Sequence, residues 1–156
     1  MNQIDKVKKL REKTGVSYNL CLRAINETKG DLKNAEELLI KWGGKKINER
    51  RTKKTLNGGI FAYVHHNAQV ATLVELQTET DFVANNNEFK NLGHELAMQI
   101  ASLKPQSIDE LLNQPYIRDN QKKINDLINE STLKFGEKIV IKRFIRWELG
   151  DENISQ

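Results

Sequence analysis

One cysteine among 156 residues excludes any disulfide within the chain, and a sequence with no oxidative staple fits a reducing compartment. No stretch approaches the roughly 18 apolar residues of a membrane helix, and the opening Met1–Lys6 lacks the apolar core of a signal peptide. Neither secretion nor membrane insertion is therefore expected, and the cytosol or an organelle interior is the expected location. Only Pro105 and Pro115 interrupt the chain, so helices and strands are free to be long. A strong charge of one sign is also missing: 25 Lys and Arg against 21 Asp and Glu leave +4, which permits a nucleic-acid partner without demanding one. What is present is an ordinary globular composition, 38% hydrophobic and 29% charged, enough for one domain or two small ones.

Apolar residues recur at helical spacing over the first forty positions. Ile4, Val7 and Leu10 run up to Thr14-Gly15, where glycine ends the helix. Ser17 caps a second helix with Leu20, Cys21, Ala24 and Ile25 on its inward stripe, stopping at Gly30. Asp31 caps a third, whose Leu32, Ala35, Leu38, Leu39 and Trp42 face inward until Gly43-Gly44 stops it. Three short apolar stripes joined by tight turns bury themselves only against one another, so residues 1–43 read as a three-helix bundle of the ubiquitin-associated type.

Residues 44–57 follow as a basic linker, with six basic residues against Glu49 between Lys45 and Lys54. A solvated helix or linker is the plainer reading, an RNA-contacting patch the sharper one. Residues 58–150 read as an α+β core. Ile60–Val64 and Val70–Gln77 form an antiparallel hairpin turning at His66-Asn67, with Val70, Thr72, Val74 and Leu76 on the covered face. Thr80 or Asp81 caps a covering helix striped with Phe89, Leu92, Leu96, Ile100 and Leu103. Ser107 and Glu110 make a capping box for a short helix, and Ile124, Leu127 and Ile128 mark another that Gly136 breaks. Strict alternation then puts Ile139, Ile141, Arg143, Ile145, Trp147 and Leu149 on one face of a last strand. The expected fold class is α+β, a helical bundle followed by a three-stranded, mainly antiparallel sheet covered by helices, with a polar tail over residues 151–156.

Catalytic groups do not converge anywhere in the pattern. His94-Glu-Leu-Ala-Met98 starts like a zinc-protease helix but has methionine where the second histidine belongs. His65 and His66 are neighbours on or beside a strand and should point to opposite faces. Cys21 falls on an inward stripe, where a buried thiol is inert. Gly43-Gly44 and Gly58-Gly59 lack the spacing of a phosphate-binding loop. No cofactor, metal or nucleotide site is expected, and the residues alone indicate a two-domain interaction protein.

Gln77-Thr-Glu-Thr-Asp-Phe-Val-Ala84 followed by Asn85–Phe89 resembles the signature of the translation elongation factor Ts family. Leu10–Gly15 with Cys21, Ala24 and Gly30-Asp31 is similar to that family's N-terminal domain, and Gly136–Ile139 through Arg143 to its closing strand. The segments occur in the family's order from about residue 5 to about residue 149. The resemblance implies a nucleotide exchange factor without an active site of its own, acting on elongation factor Tu, the GTPase that carries aminoacyl-tRNA. Phe82 would be the wedge that disturbs the magnesium and phosphate site, with Asp81 beside it and Thr80 and Val83 flanking. A first docking region would comprise Arg11, Val16, Tyr18 and Asn19, and another contact Phe135 and Gly136.

Longer members of the family carry two related core halves, whereas the pattern here shows one. Arg143, Ile145 and Trp147 on the last strand then imply a sheet face in need of cover, and a homodimer through the core sheet is the expected solution. Nucleic acid is not required for exchange. The alternative from another class is an RNA-binding or ribosome-associated protein using the basic run; a general adaptor built on the three-helix domain, and an enzyme, rank below it.

Overall fold

The computed structural model describes residues 1–152. Asn2 accepts the Asp5 amide at 2.9 Å and starts α1 (Gln3–Thr14). The helix ends at Gly15, whose φ of +70° allows its N–H to reach the Arg11 carbonyl at 2.7 Å. Ser17 and Asp31 cap α2 (Tyr18–Glu27) and α3 (Leu32–Glu49) as the sequence indicates. Val7, Leu10, Cys21, Ala24, Ile25, Ala35 and Leu39 close one apolar cluster between them, in keeping with a ubiquitin-associated-type bundle.

Helix α3 does not stop at Gly43-Gly44. It continues to Glu49 through the first residues expected to be linker, because these glycines serve packing rather than termination. A Cβ on Gly43 would stand 1.8 Å from the Asn129 carbonyl oxygen, so only glycine lets the backbone of α7 (Ile124–Phe135) approach. The chain accordingly divides into two compact units. One joins residues 1–53 with 125–138, and the other joins residues 54–124 with 139–156. Leu133 of α7 packs on the helical cluster, which sequence order alone did not indicate.

In the second unit β1 (Asn57–Val64), β2 (Val70–Thr78) and β5 (Val140–Glu148) form an antiparallel sheet in the order β1-β2-β5. Thr72, Val74, Leu76 and Thr78 are buried beneath α5 (Asn87–Leu103), and the Thr72 hydroxyl donates to the Ala97 carbonyl at 2.8 Å. Phe89, Leu92, Leu96 and Ile100 supply the covering stripe; Leu103, 40% exposed, lies beyond it. The long helix is not capped by Thr80 or Asp81. Thr80 caps a separate turn, α4 (Asp81–Ala84), and Asn86 caps α5.

Strict alternation on the last strand also fails. Leu76 pairs with Ile141 but Glu75 with Arg143, so Lys142 is an extra residue in a β-bulge. Before it Ile139 and Ile141 are buried. After it Phe144 and Arg146 stand opposite the buried Val74 and Thr72, and Ile145 and Trp147 turn to the outer face. Ser107 caps α6 (Ile108–Asn113) as expected, accepting the Glu110 amide at 3.1 Å. An unforeseen hairpin of β3 (Pro115–Tyr116) and β4 (Asp119–Lys123) follows. The buried Gln99 side chain holds it, accepting from the Ile117 amide and donating to the Pro115 carbonyl, both at 3.0 Å. Among the described residues no helix is long and apolar enough to cross a membrane. The polar tail lies, from residue 153, outside the described residues.

Candidate functional site

Strand β2 ends on the buried Thr78, and the next eight residues make a tight link to α5. Asn57 donates to the Glu79 carbonyl at 2.9 Å and fixes the exit from the sheet. Thr80 Oγ1 accepts the Val83 amide at 3.4 Å, and the Ala84 and Asn85 amides close the turn on Thr80 and Asp81. Asn86 then accepts the Glu88 amide at 2.8 Å, starting the long helix. One helical turn is thus held between two side-chain caps, each of which satisfies amides that a helix start leaves without partners.

That turn presents Phe82, 86% exposed. Asp81 is exposed beside it, while Thr80 and Val83 are half-buried and tie the turn down. A phenylalanine kept in water on a pinned backbone is costly unless something covers it. Burying its ring, some 150 Å² of apolar surface, is worth about 4 kcal/mol before the costs of association. The arrangement suits a protein contact, an exposed aromatic ring beside the exposed Asp81 carboxylate on a fixed backbone. Among the described residues no three metal-ligating side chains cluster.

The other indicated residues lie in the helical unit, apart from Thr80–Val83 in the chain's division. Arg11 and Asn19 are exposed, and Tyr18 is 39% exposed at the start of α2. Val16 is a correction: its side chain is fully buried among the helices, because the turn after Gly15 folds it inward, so it shapes the loop and offers no contact of its own. Phe135 and Gly136 are half-buried at the end of α7. The Lys134 ammonium lies 5.4 Å from the Phe135 ring centre, and its side chain passes within contact distance of the Gly15 turn. The structure therefore brings the α1–α2 turn and the end of α7 together within one unit.

His65 and His66 do not point apart as expected. Both follow the last residue of β1, where alternation no longer applies, and their ring centres are 4.2 Å apart. His65 Nδ1 is bonded to the Tyr63 hydroxyl at 2.7 Å. Cys21 is buried, and burial pushes its thiol pKa up, favouring the unreactive protonated form.

The outer sheet face holds a second group of side chains. Ile60, Val64, Leu73 and Trp147 are exposed there, with Ile145 half-buried. Ile60 and Val64 escaped the sequence reading; alternation along Ile60–Val64, with Phe61 inward, is the signal that would have found them.

The family described as Elongation factor TS matches residues 79–156, which begin just before the Phe82 turn. The elongation factor Ts of Thermotoga neapolitana is 34% identical, with 96% of this chain and 98% of that one covered. That of Coprothermobacter proteolyticus is 34% identical over 93% of this chain and 96% of its own, and that of Thermotoga maritima 35% over 95% and 96%. The alignment with the first spans 192 positions, more than the 156 residues here, so that relative carries residues without counterparts in this chain. With likeness of this extent over nearly the whole length, the chain belongs to the elongation factor Ts family.

Proposed function

We propose that the chain is the guanine nucleotide exchange factor for elongation factor Tu in translation elongation, and that Phe82 with Asp81 is its working element. The observation that carries this reading is the exposed Phe82 on a turn held by two caps. Exchange requires no bond to be made or broken by the factor. It must bind the nucleotide-free GTPase more tightly than the GDP-bound one, because only differential affinity shifts an equilibrium. A thousandfold weakening of GDP corresponds to about 4 kcal/mol of coupling, and GDP weakens the factor by the same amount. Burial of one aromatic anchor supplies a substantial part of that.

In this reading Arg11, Tyr18 and Asn19, with Phe135 and Gly136, give the helical unit a docking surface, while Thr80 and Val83 hold the wedge. The outer sheet face carrying Ile60, Val64, Leu73 and Trp147 is covered by a second copy of the chain, giving a homodimer. The work takes place in the cytoplasm of a bacterium or in an organelle interior. Stopped-flow release of a fluorescent GDP from elongation factor Tu tests the proposal. The wild-type protein should accelerate release by orders of magnitude, and Phe82→Ala should lose at least tenfold of that while melting at an unchanged temperature. An equally active, folded Phe82→Ala variant removes the wedge role; no acceleration by the wild type removes the exchange function. Light scattering at micromolar concentration should give a dimer mass, which Trp147→Asp reduces to a monomer; a monomeric wild type excludes the dimer.

A further inference from the structure

Leu56 is 82% exposed, and among the large apolar side chains of the described residues only Phe82 is more so. A lone leucine on a surface is ordinary, since folded proteins leave much apolar area in water. Its place is what singles it out. Leu56 immediately precedes β1, whose first residue, Asn57, pairs with Thr78, the last of β2. The chain therefore enters the sheet at Leu56 at the same end where it leaves for the Phe82 turn. The Asn57 side chain ties entry to exit, donating to the Glu79 carbonyl at 2.9 Å. Leu56 is one residue from the donor of that bond and Phe82 three residues from its acceptor, across a turn that Thr80 caps. The two most exposed large apolar side chains thus share one end of one sheet.

The outer sheet face accounts for Leu56 less well. There Ile60 stands opposite Glu75 and Gly58 opposite Gln77, and Glu75 and Gln77 belong to a row of bonded polar side chains. Arg143 donates to Glu75 at 3.2 Å, the Gln77 amide donates to Glu75 at 2.8 Å, and the Thr55 hydroxyl donates to Gln77 at 3.1 Å. This row bounds the apolar part of the face, and in register Leu56 lies past it. A second copy seated on Leu73 and Trp147 would have to cover charged and polar groups before reaching Leu56. A surface that receives Phe82 already sits at Leu56's end of the sheet.

Anchors at protein interfaces work in clusters, where neighbouring contacts keep water from the central side chain. We infer that Leu56 is a second apolar contact for the elongation factor Tu surface that receives Phe82, with Asn57 the residue that keeps the two contacts in register. Resting on the exchange reading of Phe82, this contact enlarges the working element from one turn to both chain segments at that end of the sheet.

Two measurements on the full chain test it: titration calorimetry with nucleotide-free elongation factor Tu, and stopped-flow release of a fluorescent GDP over a range of factor concentrations. Leu56→Ser should weaken binding about tenfold, as expected for a leucine that no longer buries its side chain. The half-saturating concentration for release should rise to match, while the melting temperature and the mass by light scattering stay unchanged. Leu56→Met, which returns the apolar volume, should restore both affinity and release. Should the serine variant melt early, Leu56→Gln, closer in size and equally polar, serves in its place. A folded Leu56→Ser variant with wild-type affinity and release, in an assay where Phe82→Ala is impaired, overturns the contact and leaves the exchange reading standing. A wild type that neither binds nor accelerates release removes the exchange reading and this contact with it. A lower mass for Leu56→Ser overturns the contact in favour of one between copies of the chain.

Discussion

The two units of the chain handle their apolar surface in opposite ways. The helical unit turns its stripes inward and closes them in one cluster from Val7 to Leu39. The sheet-bearing unit covers only one face of its sheet, leaving Ile60, Val64, Leu73 and Trp147 exposed on the other and Phe82 on a turn beside it in sequence. A bundle of short helices has no spare face, whereas a single three-stranded sheet has two faces and one set of covering helices. Exposed apolar side chains therefore concentrate in the second unit, where a partner has something to bury.

Each unit also contains a close approach at a glycine within a long helix, Gly43 of α3 and Gly93 of α5, and these differ in what they meet. In the helical unit a Cβ at Gly43 would meet backbone, the carbonyl of Asn129 at 1.8 Å. Gly43→Ala should therefore force α3 and α7 apart and cost about 4 kcal/mol, at the upper end for one substitution. Because the obstacle is main chain, Asn129→Gly should not restore the melting temperature; a full rescue would show that the two helices are not so closely packed. In the sheet-bearing unit a Cβ at Gly93 would stand 2.0 Å from the Phe61 ring. That ring already packs edge-on against Phe89 and His94 at 6.2 and 5.2 Å. Gly93→Ala should cost about 2 kcal/mol, since overpacking is partly offset by alanine's better helix propensity. Here a second change should help: Phe61→Leu in the Gly93→Ala background should recover stability, and purely additive losses in that double-mutant cycle would refute the contact.

The sequence was most informative where one residue type has one local job. Asn86 aside, the caps at Ser17, Asp31 and Ser107 and the stops at Gly15 and Gly136 were legible, because a short polar side chain or a left-handed backbone is needed at those points. Gly43-Gly44 looked the same and meant something else. A glycine that ends a helix and one that admits a neighbouring helix are indistinguishable until Asn129, more than eighty positions later, is in place. The bulge at Lys142 was hidden for a similar reason, since an extra residue becomes visible only against its partner strand. The hairpin at Pro115–Lys123 has no apolar alternation, and its anchor Gln99 lies on a distant helix. At the candidate site it was the family resemblance that pointed to Phe82 on the surface, its position after a cap being compatible with exposure without requiring it. The burial of Val16 was not legible, because the turn after Gly15 is set by packing.

A smaller effect separates local order from global stability at the Phe82 turn. Thr80→Ala removes the side chain that accepts the Val83 amide, a loss of about 1 kcal/mol. A single turn contributes little to cooperative melting, so the melting temperature should fall by a degree or two. The looser turn should slow accelerated GDP release about fivefold, and Thr80→Ser should restore it. A large melting shift with unchanged exchange would mean that the cap supports the sheet-bearing unit and leaves the wedge unaffected.

The smallest effect is a titration confined to the sheet-bearing unit. The Tyr116 hydroxyl donates to Glu95 at 3.1 Å, and burial, with the adjacent Glu95 charge, pushes its pKa up to about 12. In the unfolded chain a tyrosine titrates near 10. The folded state thus favours the neutral phenol, and its contribution to stability is intact below pH 10 and lost as the pH rises towards 12. Phenolate absorbance at 295 nm should show a late step among the three tyrosines, and Tyr116→Phe should delete it. The same substitution should speed amide exchange in the 115–123 hairpin, because the bond to Glu95 ties that hairpin to α5, while the amides of α1–α3 keep their protection. If the late step survives in Tyr116→Phe, the phenol is not the group held by Glu95. If the amides of α1–α3 lose protection as well, the helical unit depends on the hairpin and the two units do not open independently.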